Sequence, residues 1–576
     1  MSETETTNTT NPKVELQRAE ILKAQSEGKL ATLRVYTKFS GPGWLQSAIT
    51  LGGGSLASSL YLGVIGGFAM LWLQPFAMLL GIIMMSAIAY VTLSMGKRPL
   101  RAINAEISPV LGWGWLLASM LANIVWSMPQ FALATAAIGQ NLFEPLFKGC
   151  DEFTVKLIIA PIILAITISV VSLYNVGGLG VKIFEILIKI MVGCVVLCFM
   201  GVVGLLIYSG AINFGEIMRG FIPTMSTLFE PSATFAPFLD KLSESGREFW
   251  TAYIVEHQRD VMLAAAATAV GINMTFLLPY SMLRKGWNRD FRGLAIFDLS
   301  TGLFIPFILA TGCVVIAAAS QFHARPVQGL VSPEYTQSGA KIEPPKNIVK
   351  EYEALLDARA EAIVLAKSPE LKSASSDALE AEIDKAKASL SDAEKTMASV
   401  LVRRDALNLS DTLKPLVGDK VAKYVFGFGV LAMALNATTM LMLINGLCFC
   451  ELLNKPAKGK IQMIGSLIVC IGILMPFFWE GALMYLAVPT SVFALVLLPI
   501  AYTCFFLMMN NKNILGDDVP KDKKRLVWNA LMACSVIVSG SASFFVLWTK
   551  QGLFGLALFA LFILAVILTH KRKRAA

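Results

Sequence analysis

Twelve stretches apolar enough to cross a bilayer run through the chain, near 43–67, 68–95, 111–140, 156–174, 181–208, 260–283, 293–320, 421–449, 461–479, 482–509, 526–549 and 553–569. About twenty such residues make one helical span, and backbone in lipid must satisfy its own polar groups. The chain is therefore expected to be an all-α integral membrane protein. With 55% hydrophobic and 15% charged residues and a mean hydropathy of +0.64, it carries more apolar surface than a soluble core can hide.

Lys and Arg fall in alternate loops, among them Lys97, Arg98 and Arg101, then Arg284, Lys285, Arg289 and Arg292, then Lys455, Lys458 and Lys460, and the tail Lys571-Arg572-Lys573-Arg574. Basic loops stay on the cytoplasmic side. Both termini are thus expected in the cytoplasm of a multi-pass protein of the cell (cytoplasmic or inner) membrane. The domain expectation is a cytoplasmic segment 1–40, spans one to seven over 41–320, an extracytoplasmic insertion over 321–420, spans eight to twelve over 421–569, and a basic cytoplasmic tail 570–576. The net charge of +9 is placed by this topology, so a nucleic-acid partner is not expected. Eight of the nine cysteines lie in or beside apolar stretches, so no disulfide framework is indicated. His257, His323 and His570 fall outside the predicted spans, and no nucleophile with a base is visible. Neither an enzyme nor a bound cofactor is expected.

Two spans carry interruptions. The first contains Gly52-Gly53-Gly54-Ser55. Each interior glycine costs a helix about 1 kcal/mol relative to alanine, so three together predict an unwound break, with Ser55 capping the half-helix that follows. Small residues at a tight helix crossing are the alternative. Span six contains Gly271-Ile272-Asn273-Met274-Thr275 and Pro279, which predict a second break holding Asn273 and Thr275 between Gly271 and Pro279. A plain proline kink is the alternative there. Breaks five spans apart suggest two five-span repeats of inverted topology meeting at a midplane site.

The 321–420 segment is polar, yet Leu379, Ile383, Ala386, Leu390, Ala393, Met397 and Val400 recur in steps of three and four. With the shorter stripe Ile348, Tyr352, Leu355, Ala362 and Ala366, they predict an antiparallel helical hairpin standing outside the membrane, its second helix capped in the 373–377 region. It reads as a spacer or as a docking arm for a protein partner. Among charges within the spans, Glu185, Lys189 and Asp298 lie near the cytoplasmic surface, where they suggest a structural latch or an inner gate.

The residues Gly41-Pro42-Gly43-Trp44-Leu45, Gly180-Val181-Lys182-Ile183-Phe184-Glu185, Leu413-Lys414-Pro415-Leu416-Val417-Gly418 and Leu435-Asn436-Ala437-Thr438 resemble motifs of the NRAMP divalent-metal transporters. The resemblance implies a LeuT-type fold and metal-ion transport. It also implies a substrate site at Gly52, Gly53, Gly54, Ser55, Asn273 and Thr275, which stand where that family has its DPGN and MPHN motifs. The family's metal-binding Asp, Asn and Met and its His are thereby replaced, Met274 falls one place off, and Trp126 and Pro129 align with the acidic pair of span three. A divalent cation in low dielectric needs ligands and compensating charge. The expectation is thus a secondary transporter with an altered substrate, a weakly bound or hydrated cation. A small neutral, zwitterionic or anionic solute, and a non-transporting receptor or scaffold, stay open beside it.

Overall fold

The computed structural model describes residues 12–575, apart from 177–178, 211, 336–340, 374–375, 405–407, 409, 411–413, 415–417, 421–422, 425 and 480–482. The first apolar stretch is two half-helices, α1 (Pro42–Thr50) and α2 (Gly53–Gly66). Span three is α3 (Pro109–Ala136). Span six is again a pair, α4 (Glu244–Ala269) and α5 (Ile272–Arg284), and α6 (Arg292–Gly302) opens span seven. The insertion holds α7 (Lys346–Lys367), α8 (Ser376–Ala388) and α9 (Asp392–Leu401). Beyond it lie α10 (Phe426–Leu452), α11 (Ala487–Met509) and α12 (Asp522–Ala575).

Among the described residues, 10 helical units are long and apolar enough to span a membrane. The difference from the twelve apolar stretches lies at two places. One unit, Asp522–His570, contains two stretches that turn at Gly552, whose φ of 56° suits a residue without Cβ. The other is Leu179–Tyr208, a 30-residue apolar helix of which only Phe199–Tyr208 is counted as a shorter apolar segment.

Both breaks are shorter than the glycine pattern predicts. Only Leu51 and Gly52 leave helical geometry in the first, and neither Gly53 nor Gly54 has a positive φ. These glycines are required by proximity instead. A Cβ on Gly52 would lie 2.6 Å from Ala437 Cβ, and one on Gly53 would lie 2.6 Å from the Leu133 side chain and 2.8 Å from Gln130 Oε1. In span six only Val270 and Gly271 are extended, and Pro279 sits within the continuous helix α5. The proline is thus no part of the break, since the helix resumes two turns before it.

α3 is the central post, packed against α10, α11 and α5. Trp115 on α3 meets Phe276 of α5 at 4.9 Å between centroids and Phe505 of α11 edge-on at 5.3 Å, all three fully buried. On the side of the basic loops, the polar N-terminal segment folds into helices Pro12–Glu27 and Lys29–Phe39, tied down by Arg18 to Asp290 at 2.6 Å.

The insertion departs from the uniform two-helix hairpin. The predicted seam is cut at Ser389–Ser391, and Ser391 caps α9 by accepting the Glu394 N–H at 3.2 Å. The short last arm then bends onto the membrane part rather than standing clear of it. Arg359 of α7 pairs with Glu394 of α9 at 2.7 Å, both under 10% exposed, and donates to Ser245 at the start of α4 at 3.2 Å. Residues 374–375 of the predicted 373–377 cap lie outside the described residues, as does most of the 413–418 motif, and α8 begins at Ser376.

Candidate functional site

The two breaks face each other across a small cavity of about 30 Å³, lined by Thr50, Gly52, Gly54, Ser55, Trp126, Gln130, Thr268, Gly271, Asn273 and Met274 among others. A space of this size admits one or two water-sized spheres. A helix interrupted inside a protein leaves carbonyls at one end and N–H groups at the other without intrahelical partners, and their fate decides what the cavity binds.

At the first break the carbonyls are handled by Ser55. It does not cap the N–H end of α2 as predicted; Gly52 is the N-cap residue, and Ser55 lies in the first helical turn. Its hydroxyl points back to the carbonyl oxygens of Thr50 and Gly52, the latter at 2.9 Å. The N–H end is capped from another helix, by Gln130 of α3, whose Oε1 accepts from Gly53 N at 2.7 Å.

The second break is closed by its own side chains. Asn273 Oδ1 accepts from Met274 N at 2.8 Å, and Asn273 Nδ2 donates to Asn123 Oδ1 of α3 at 3.0 Å. The Met274 thioether folds back to within 3.4 Å of Gly271 N and 3.4 Å of the Thr50 hydroxyl. Thr275 turns the other way. It accepts from Trp115 Nε1 at 2.9 Å and donates to the Ile272 carbonyl, so it belongs to the aromatic post and does not line the cavity.

Of the six residues expected at the site, Gly52, Gly54, Ser55 and Asn273 line the cavity, Gly53 borders it through Gln130, and Thr275 lies apart. Met274 takes the place predicted for Thr275, one residue earlier in phase. Thr50, Asn123 and Gln130 were missed. Their signal was present: Asn123, Ser127 and Gln130 are spaced at i, i+4 and i+7, a polar stripe on one face of an apolar span. The site's polar lining is neutral. Among the described residues no group of three His, Cys, Asp or Glu is placed to hold a metal. Among the described residues, Asn123 Nδ2, Trp126 Nε1 and Ser491 Oγ near the breaks are buried without a hydrogen-bond partner, at about 1–3 kcal/mol each, and of the three only the Ser491 oxygen could meet a cation.

On the side of the basic loops, Asp298 of α6 is fully buried and closes the start of α1. Its carboxylate accepts from Gly41 N at 2.9 Å, Gly43 N at 2.5 Å and the Ser40 hydroxyl. A Cβ on Gly43 would strike the Asp298 backbone, which explains a glycine beside the proline. Of the other two residues expected at an inner gate, Lys189 is exposed and is not among the described partners of Asp298, and the Glu185 side chain lies outside the described residues. Glu451 supplies a second tie on this side, accepting from Arg98 at 3.1 Å and from the Tyr280 hydroxyl. His257, expected outside the spans, lies on α4 in its charged first part, before the apolar run that begins near residue 261.

The family described as natural resistance-associated macrophage protein-like matches residues 43–344 and 390–548. A metal transporter, Nramp6.2, of Populus trichocarpa is 26% identical over 194 residues, 34% of this chain, and the match spans about a third (32%) of that relative's length. Two mutant structures of the Eremococcus coleocola manganese transporter superpose over 94% of this chain and 95% of theirs at 13% identity, with TM-scores of 0.61 and 0.60. That likeness gives the fold: an all-helical membrane protein of LeuT type, with broken first and sixth spans.

Proposed function

Since the chain belongs to the natural resistance-associated macrophage protein-like family, we propose that it is a secondary transporter of a small metal cation, bound where α1–α2 and α4–α5 are broken. The observation that carries this reading is the Met274 sulfur held 3.4 Å from the Thr50 hydroxyl in a cavity of about 30 Å³. A cation in so small a space keeps little of its hydration shell, and the protein must replace it. The donors at hand are a thioether, hydroxyls, amide oxygens and break carbonyls. Without a carboxylate they stabilise a hard divalent ion poorly, whereas a thioether favours softer cations. Cadmium is thus a better match than magnesium or calcium, with manganese between them, and binding is weak.

Among the described lining residues an anionic solute would meet one unpaired side-chain N–H, that of Trp126, and the half-helix N-termini add little to it. The N–H groups of Gly53, Gly271 and Met274, which would hold an anion at a half-helix N-terminus, already face Gln130, Met274 sulfur and Asn273.

The test is uptake into proteoliposomes of purified protein, with manganese, cadmium, magnesium, calcium and sodium compared. Saturable manganese or cadmium uptake is expected, lost on Met274→Ala and on Asn273→Ala while folded protein is retained. Absence of any cation flux through folded protein in tight membranes would reject the reading.

A further inference from the structure

Three helices that border the cavity continue from it toward the insertion. These are α2 from Ser55, α4 traced back from Thr268, and α11 traced back from Ser491, whose hydroxyl would lie 3.7 Å from a Cβ on Gly54. One to four turns further out lie Tyr61 on α2, Tyr253 with His257 on α4, and Tyr485, two residues before α11. These side chains form a collar. Tyr61 meets Tyr485 edge-on at 5.2 Å, and Tyr253 stacks on His257 at 3.9 Å.

Arg403, two residues past the end of α9, fills that collar. Its guanidinium lies 3.7 Å from the Tyr485 ring centroid, and its Nη2 stands 3.2 Å from His257 Nε2. His257 Nδ1 lies 3.0 Å from the Tyr253 carbonyl oxygen, so Nδ1–H donates there and Nε2 accepts from the arginine. The other end of the guanidinium is held by Glu351 of α7 at 3.6 Å. The plug and its tether both come from the insertion, while the collar comes from the membrane helices.

We propose that Arg403 is the gate on the insertion side of the transport route, seated in the collar of Tyr61, Tyr253, His257 and Tyr485, and that movement of the 346–404 segment opens it. The inference rests on the transport reading above for what passes the gate, but not for the closure itself. A flat cation on an aromatic face binds without a carboxylate in the path and leaves when its tether shifts. A fixed positive charge at the mouth also repels an entering cation until it is withdrawn. That gives the insertion a task at the site which a spacer would not have.

The experiment reads closure directly. Thr268→Cys, on the cavity wall beneath the collar, is placed in a Cys150→Ser, Cys534→Ser background. Proteoliposomes with the insertion outward are captured through an epitope placed after Glu370, and an impermeant thiol reagent is added outside. Arg403→Ala is expected to raise the labelling rate about tenfold or more, and Arg403→Lys by less, because lysine keeps the charge but not the plane on Tyr485. Should Arg403→Ala fail to fold, Glu351→Gln, which neutralises the tether, is expected to raise the rate severalfold. Labelling unchanged in the folded variants would overturn the gate. Cation uptake on the same variants without the Thr268→Cys substitution separates the two readings. Faster labelling with no flux in any protein keeps the gate and rejects transport; wild-type flux with unchanged labelling does the reverse.

Discussion

Gln130 Oε1 accepts a 2.7 Å hydrogen bond from Gly53 N, so the second half of the broken first span is capped by a side chain from span three. The break is therefore a property of two helices. Removing the acceptor by Gln130→Leu leaves a buried N–H orphaned at about 1–3 kcal/mol. A lower melting temperature and a loss of cation uptake are expected. Gln130→Glu keeps an acceptor and adds a carboxylate beside the cavity, so it is expected to tighten divalent-cation binding, measured by the concentration giving half-maximal uptake.

Asp298 meets the start of α1 through two backbone N–H groups and one hydroxyl. Asp298→Asn keeps one acceptor but loses the charge and one hydrogen bond, for an expected cost of about 1–3 kcal/mol. Gly43→Ala forces a Cβ onto the Asp298 backbone and is expected to be worse than Asp298→Asn. Thermal unfolding of the three proteins in one detergent gives the order, and a milder Gly43→Ala would contradict it.

The Arg359–Glu394 pair fastens the insertion at 2.7 Å with both side chains under 10% exposed. Truncating one partner strands a buried charge, with an expected cost of about 3–5 kcal/mol, whereas replacing both by apolar residues of similar size is near neutral. Limited proteolysis within 369–391 is expected to be fast in Arg359→Ala and in Glu394→Ala, and close to wild type in Arg359→Met with Glu394→Leu.

His323 follows the last helical residue of span seven, with Nδ1 2.9 Å from the Val64 carbonyl and Nε2 2.5 Å from the Thr234 hydroxyl. Burial pushes its pKa below the ordinary 6.5. The folded protein then binds fewer protons than the unfolded chain at pH values between the depressed pKa and 6.5. Stability is expected to be level above pH 6.5 and to fall as the pH drops through that window. Melting temperatures from pH 7.5 to 5 check the slope, which His323→Gln is expected to flatten.

Much of the fold was legible in the chain because its signals are local. Long apolar runs report spans, and glycine clusters report where a helix is weak. The insertion's helical stripes were equally visible, since the spacing of Ile348, Tyr352 and Leu355 fixes one face whatever it touches, and all three are buried. The cut at Ser389–Ser391 was hidden by a seam that keeps its phase across the interruption.

The sequence by itself marked spans one and six as weak, because an interior glycine such as Gly52 or Gly271 costs a helix about 1 kcal/mol whatever it touches. It did not determine which atoms the interruptions present. Each residue turns a helix by about 100°, so one position in where α5 restarts exchanges Met274 for Thr275 at the cavity. That restart is set by Asn273 bonding to Asn123 and by Trp115 claiming Thr275, contacts made across 150 and 160 residues of chain. The same holds for Gln130 on Gly53 and for Arg403 on Tyr485. Pairings between distant elements leave no mark in local periodicity, and only the packed structure decided them.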